Sequence, residues 1–271
     1  MIDLLMFIFL GFIQGITEPI PVSSSGHLLI FQKLIGSIDK IDFEILATIT
    51  NFGSFIAIVL VYRKEIIELI NSFFKYISTK EKKYYNNYKY CWCIVIGTIP
   101  AGIMGLIVTK LELFDFLEEN VKFVGAMLLV TALFLFIIKD FVGNKDKDKV
   151  TFKDGLIIGL FQIVALLPGI SRSGSTIIGG MFRNLKRETA FDFSFMLYLP
   201  ISIATGLLGF KDLMEAHLSL EEIIMYLISS IMAFIFTYIS IKWFRDLVKK
   251  GKLIYFVFYC LIVGTLVIMF L

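Results

Sequence analysis

Charge is what this sequence most lacks. Of its 271 residues only 18% are Asp, Glu, Lys or Arg, whereas 58% are hydrophobic and the mean hydropathy is +0.84. That balance excludes an ordinary soluble domain and leaves a protein that crosses a membrane repeatedly. Cysteine is scarce as well: Cys91, Cys93 and Cys260 lie inside apolar runs, an odd number at positions suited to neither a disulfide framework nor a metal knuckle. There is no low-complexity segment and no separate soluble domain. No cleavable signal peptide is expected, because the first charge is Asp3 rather than a basic n-region.

Against this background two polar stretches stand out, and they are copies of one another. Gly11 to His27 reads GFIQGITEPIPVSSSGH, and Gly159 to Thr176 reads GLFQIVALLPGISRSGST. At a constant offset of 148 they match at Gly11/Gly159, Gln14/Gln162, Ser23/Ser171, Ser25/Ser173 and Gly26/Gly174, and the register continues to Phe43/Phe191. The chain therefore contains an internal duplication, with halves at approximately 1–143 and 150–271 inside one membrane domain, 1–271.

Each copy sets a half-length apolar run against Pro, Gly and Ser. Leu4 to Thr17 is uncharged for 14 residues, which at about 1.5 Å per residue is too short for a hydrocarbon core of roughly 30 Å. Pro19 and Pro21 in one copy, and Pro168-Gly169 in the other, supply the break. Both stretches, approximately 4–35 and 153–182, are expected to be re-entrant helical hairpins, and paired broken segments point to a binding site between them.

Six longer uncharged runs are expected to span: 45–62, 90–109, 123–138, 193–210, 223–241 and 253–271. The expected fold is thus all-α, six transmembrane helices plus two re-entrant hairpins, in an inverted-topology repeat because each half has an odd number of spans. Of the 26 Lys and Arg, 20 fall in segments 63–89, 139–153, 183–187 and 242–252, which places these on the cytoplasmic side. The other side holds Lys33, Lys40, Lys110, Lys122 and Lys211. Both termini then lie outside, and the hairpins enter from opposite faces and meet near the middle. The segment IIELINSFFKYI within 63–89 is expected to lie along the inner surface as an amphipathic stretch.

Glu18, His27 and Arg172 are the ionisable groups expected at depth, where a charge is costly enough to imply function. A plain ion pair bracing the hairpins would account for Glu18 and Arg172. It would not need the hydroxyls of Ser23, Ser24, Ser25, Ser171, Ser173 and Thr176 around them. The Arg172 fork, these hydroxyls, and backbone N–H groups freed by Gly26 and Gly174 suit an anion, phosphate best. Half-helix N-termini would add to the attraction. A pocket inside the bilayer favours phosphate carried on a lipid, with no role for nucleic acid.

These residues resemble the undecaprenyl-diphosphate phosphatase family of bacterial membranes, also called bacitracin-resistance proteins. The resemblance rests on QGITE at Gln14 to Glu18, PVSSSGH at Pro21 to His27 and PGISRSGST at Pro168 to Thr176. It implies hydrolysis of a prenyl diphosphate to the monophosphate and inorganic phosphate, recycling the lipid carrier for peptidoglycan synthesis and conferring bacitracin resistance. It also implies a divalent cation, Mg²⁺ or Ca²⁺, and a multi-pass enzyme of the bacterial plasma membrane with its site open to the outside. A homodimer is compatible with it. Carried over, the functional positions are Gln14, Glu18, Ser23, Ser24, His27, Ser171, Arg172, Ser173 and Thr176. Gln14 is the neutral option at its position, which leaves Glu18 as the one carboxylate of that motif.

The mechanism expected from these residues has His27 as general base, Ser24 as nucleophile, Arg172, Ser173 and Thr176 on the phosphoryl oxygens, and Glu18 with Gln14 at the metal. Attack by a metal-activated water is the alternative route. A transporter of lipid phosphate or a small anion shares the inverted-repeat architecture. An acid-phosphatase-type lipid phosphatase echoes Ser25 to His27, but it needs a second histidine soon after its Ser-Arg, and none follows Arg172.

Overall fold

The computed structural model describes residues 2–35, 41–111 and 120–271, and all of its regular elements there are helical. In chain order they are α1 (Ile2–Thr17), α2 (Ser24–Ile35), α3 (Phe43–Thr79), α4 (Lys82–Lys110), α5 (Val121–Ile138), α6 (Phe152–Val164), α7 (Arg172–Phe182), α8 (Arg187–Glu215), α9 (Leu220–Lys249) and α10 (Ile254–Phe270). A 3₁₀ turn, Lys147–Lys149, lies in the connection between α5 and α6.

Elements recur in the same sequence of lengths: two short helices, two long ones, then one of intermediate length. Among the described residues, α3, α4, α5, α8 and α9 are long and apolar enough to cross a membrane, while α1 and α10 are shorter apolar helices. The chain is a multi-pass membrane protein, and large apolar side chains such as Phe52, Ile103, Leu207 and Phe258 face outward on it. That outward apolar surface suits lipid, where helices satisfy their own backbone hydrogen bonds.

Contacts between the two sets of five are reciprocal. Helix α1 packs along α9 as α6 packs along α4, and α5 packs along α10. Gly11 and Gly159, matched in the two sequence copies, make these close approaches possible. A methyl on Gly11 would stand 2.2 Å from the Ser229 carbonyl oxygen, and one on Gly159 would stand 2.2 Å from that of Gly97.

The two short pairs break where the prolines predict. Pro19 and Pro21 separate α1 from α2, and Pro168 precedes Gly169, whose φ of +95° turns the chain between α6 and α7. Caps fix the helix starts: Asp42 accepts from the N–H groups of Glu44 and Ile45 at α3, and Thr151 with Asp154 forms a capping box at α6. Asp154 is fully buried and also takes Lys145 Nζ at 3.1 Å and Arg183 Nε at 2.8 Å, which ties the base of the second pair to the connection between halves.

One element differs from its sequence expectation. The span expected over 45–62 and the amphipathic stretch after it form a single helix, α3, ending at Thr79. Residues 54–79 contain no Gly or Pro, so nothing in the chain interrupts the helical hydrogen bonds before Lys80 adopts a left-handed turn at φ 55°. Its distal half packs on α4 through Phe73 and Tyr88, with ring centroids 5.2 Å apart. Lys40, expected on the outer side, lies outside the described residues.

Candidate active site

Both broken helix pairs deliver their turns to one place. Helices α2 and α7 begin there, at Ser24 and Arg172, so two helix N-termini border a single cleft. Its walls are Glu18, Ser23, Ser24, Ser25, Ala165, Ile170, Ser171, Arg172 and Ser173, and it is a small, mainly polar cleft that is partly open. Its polar lining suits a phosphate group rather than a prenyl chain.

The turns touch through glycine. A methyl on Gly26 would lie 3.0 Å from Gly169 Cα in the opposite turn, and one on Gly174 would lie 3.3 Å from Pro21 Cβ. Ser173 Oγ donates across the same junction to the Ile20 carbonyl at 3.4 Å. The serine matches have a local cause: Ser23 Oγ accepts from Gly26 N–H at 3.2 Å, and Ser171 Oγ accepts from Gly174 N–H at 3.1 Å. These two hydroxyls cap α2 and α7, and the Gly26 and Gly174 N–H groups are occupied by the caps rather than turned to the cleft.

Glu18 gathers the charged and polar groups. Its Oε2 accepts from Ser24 Oγ at 2.5 Å and from Gln14 Nε2 at 3.1 Å, and its Oε1 accepts from Arg172 Nη2 at 2.7 Å. The Glu18 and Arg172 side chains are 9% and 18% exposed, so the pair is largely desolvated. Arg172 lies over the Tyr198 ring, its guanidinium carbon 4.1 Å from the centroid, and Tyr198 Oη is fixed by donating to Asn51 Oδ1 at 2.8 Å. The second guanidinium nitrogen, Nη1, is buried and has no partner among the described residues. An unpaired buried donor of this kind is costly unless a ligand oxygen meets it. The copies diverge here, because Leu166 stands where the first has Glu18, and among the described residues the buried amide of Gln162 has no partner.

Gln14, Thr176 and His27, all expected at the site, do not line the cleft. Thr176 is fully buried and shares a 2.5 Å hydrogen bond with Ser194 Oγ, behind Ser173. His27 is 3% exposed, with Nδ1 2.8 Å from the Ser23 carbonyl oxygen and Nε2 2.7 Å from Tyr259 Oη. Tyr198, Tyr259, Asn51 and Ser194 were not picked out from sequence, since each lies inside a long, uncharged and mainly apolar run without a motif around it.

The donor set bears on a metal. Among the described residues no three His, Cys, Asp or Glu side chains cluster. Glu18 offers one carboxylate, and Gln14, whose Nε2 donates to it, would offer a neutral oxygen once its amide turns over; such a set suits a hard cation of the Mg²⁺ type, which commonly takes one or two protein ligands and completes its shell with substrate phosphate and water.

Comparison with known proteins matches residues 7–266 to the family described as bacitracin resistance protein BacA. The chain is 42% identical over 269 residues to undecaprenyl-diphosphatase 2 of Bacillus thuringiensis strain Al Hakam, covering 99% of this chain and 98% of that protein. It is 41% identical to undecaprenyl-diphosphatase 1 of Bacillus licheniformis, covering 98% of each. Undecaprenyl-diphosphatase 1 of Halalkalibacterium halodurans is 36% identical, over 98% of this chain and 95% of that protein.

Proposed function

The chain belongs to the bacitracin resistance protein BacA family, and from that premise we propose that it hydrolyses undecaprenyl diphosphate to undecaprenyl phosphate and inorganic phosphate. The observation that carries the reading is the cleft in which Glu18 and Ser24 of one hairpin meet Arg172 of the other. Phosphoryl transfer needs a nucleophile in line, donors for the equatorial oxygens and a relay for the proton.

In this reading the terminal phosphate enters between the two helix N-termini and takes up the unpartnered Arg172 Nη1, drawing the fork away from Glu18. Ser24 Oγ attacks the terminal phosphorus, the bond to the bridging oxygen breaks, and undecaprenyl phosphate departs with the bonding electrons. The Ser24 proton passes to Glu18 Oε2, the acceptor already 2.5 Å away. Water then hydrolyses the phosphoserine. Ser25, Ser171 and Ser173 border the phosphate, while Ser23, Gly26, Gly174 and Thr176 hold the turns that present them. His27 serves the reaction by holding Ser23 rather than as the base, since both its nitrogens are engaged elsewhere. Glu18 and Gln14 would hold a divalent cation, which when bound neutralises charge on the diphosphate.

The finer architecture belongs to the same proposal: six spans and two re-entrant hairpins in an inverted-topology repeat, with the cleft open to the outer face of the plasma membrane. Reciprocal packing of the halves and the Lys/Arg distribution support it. Recycling of the peptidoglycan lipid carrier and bacitracin resistance follow from such an activity. The decisive assay uses purified, detergent-solubilised protein with the C55 diphosphate. Phosphate should be released without any transbilayer gradient, lost on adding chelator and restored by Mg²⁺ or Ca²⁺. Absence of release under all metal conditions would refute the hydrolase reading and favour transport.

A further inference from the structure

We propose that Tyr259 is a positioning residue for this reaction, acting through His27 on the turn that presents Ser24. The inference rests on the hydrolase reading for its kinetic consequence, while its structural content stands on hydrogen-bond chemistry alone.

The Ser23 carbonyl oxygen, 2.8 Å from His27 Nδ1, has no proton to give, so Nδ1 carries the hydrogen. In a neutral imidazole this leaves the lone pair on Nε2, and Tyr259 Oη, 2.7 Å away, is the donor to it. The two rings lie nearly parallel, 15° apart, with centroids separated by 5.6 Å. The carbonyl therefore selects the tautomer, and the Tyr259 hydroxyl, donating to Nε2, holds the ring from its other side.

What the ring holds is an unusual piece of backbone. Ser23 has φ of 67°, the left-handed region, which crowds the Cβ of an L-residue against its own backbone. Its carbonyl accepts twice from His27, from the ring and from the backbone N–H at 3.1 Å. The next residue is Ser24, whose Oγ must face Glu18 on one side and the phosphate on the other. Tyr259 comes from α10, whose neighbouring Cys260 Sγ also reaches the first turn, 3.9 Å from the Pro21 carbonyl. Phenylalanine at 259 would keep the ring contact and the packing, so the hydroxyl is the element with the positioning role.

The test exploits a chain with only two histidines. His217 lies exposed between α8 and α9, and His217→Gln leaves His27 as the one imidazole. ¹⁵N spectra of histidine-labelled protein should show Nδ1 protonated and Nε2 as a hydrogen-bonded, unprotonated nitrogen. Tyr259→Phe should shift the Nε2 resonance toward that of a free lone pair. The same variant should lose about 10- to 100-fold in kcat, the scale seen when the partner that orients a functional histidine is removed, with KM within about twofold and an unchanged thermal transition. His27→Ala with Tyr259→Phe together should be no slower than His27→Ala alone. Protonation at Nε2, native kcat in Tyr259→Phe, or kinetic losses that multiply in the double variant would each overturn the proposal. A wild-type protein that releases no phosphate would fail the hydrolase reading instead, and the spectra would still decide the hydrogen bond.

Discussion

Arg172 Nη2 lies 2.7 Å from Glu18 Oε1, an ion pair between residues 154 positions apart, one from each broken helix pair. The repeat places Arg172 where the first copy has Ser24, and Leu166 where it has Glu18. The halves have thus diverged into complementary chemistry: one carries the Ser24 hydroxyl and the Glu18 carboxylate, the other the Arg172 guanidinium.

Ser24 is the first point of test. Ser24→Ala removes the hydroxyl 2.5 Å from Glu18, and turnover should fall roughly 10²- to 10⁴-fold with folding intact, the range associated with losing a directly participating group. Steady-state phosphate release measures it. Near-native turnover would favour direct attack by water.

The contact between turns should be sensitive to a single methyl. Gly26→Ala would set Cβ 3.0 Å from Gly169 backbone, and overpacking of this kind costs about 1–3 kcal/mol. Gly174→Ala meets Pro21 at 3.3 Å and a Ser171 side chain at 3.1 Å, so its thermal transition should drop less. Equal, unchanged transitions for both variants would argue against direct contact of the turns.

Asp154 separates stability from chemistry. It is buried beneath Lys145 and Arg183 at the base of the second hairpin and does not line the cleft. Asp154→Asn weakens charge-assisted bonds and should cost about 1–3 kcal/mol. Below its thermal transition, turnover should stay near native. A large loss of kcat at full stability would show that this base communicates with the cleft.

Orientation can be read by chemistry at the ends of α8 and α4. In a protein whose Cys91, Cys93 and Cys260 have been replaced, Glu215→Cys should label in intact cells with an impermeant thiol reagent, and Lys82→Cys should not. The reverse pattern would invert the assignment of faces.

Much of this arrangement is legible in the sequence. Pro19, Pro21 and Pro168-Gly169 marked both breaks because a missing N–H and a fixed φ are local properties. Glu18 and Arg172 were legible because charge is expensive at depth. What escaped depended on contacts between distant segments. Tyr198 beneath Arg172 and Tyr259 beside His27 read as ordinary members of apolar runs, since a tyrosine in a helix that faces lipid and one that turns a hydroxyl inward look alike in sequence. Ser23 and Ser171 were legible as polar and repeated, but their capping of α2 and α7 emerges only from the hydrogen bonds to Gly26 and Gly174.

The central claim, that Glu18 and Arg172 form a phosphate-handling pair and not a structural brace, is tested most directly by the turnover of Arg172→Lys on the C55 diphosphate. Lysine keeps the charge but replaces a planar fork by a point charge, and it cannot offer separate nitrogens to Glu18 and to phosphate. The variant should insert and fold, yet lose at least about 10²-fold in kcat. An Arg172→Lys protein with near-native turnover would contradict the account and reduce the pair to a brace.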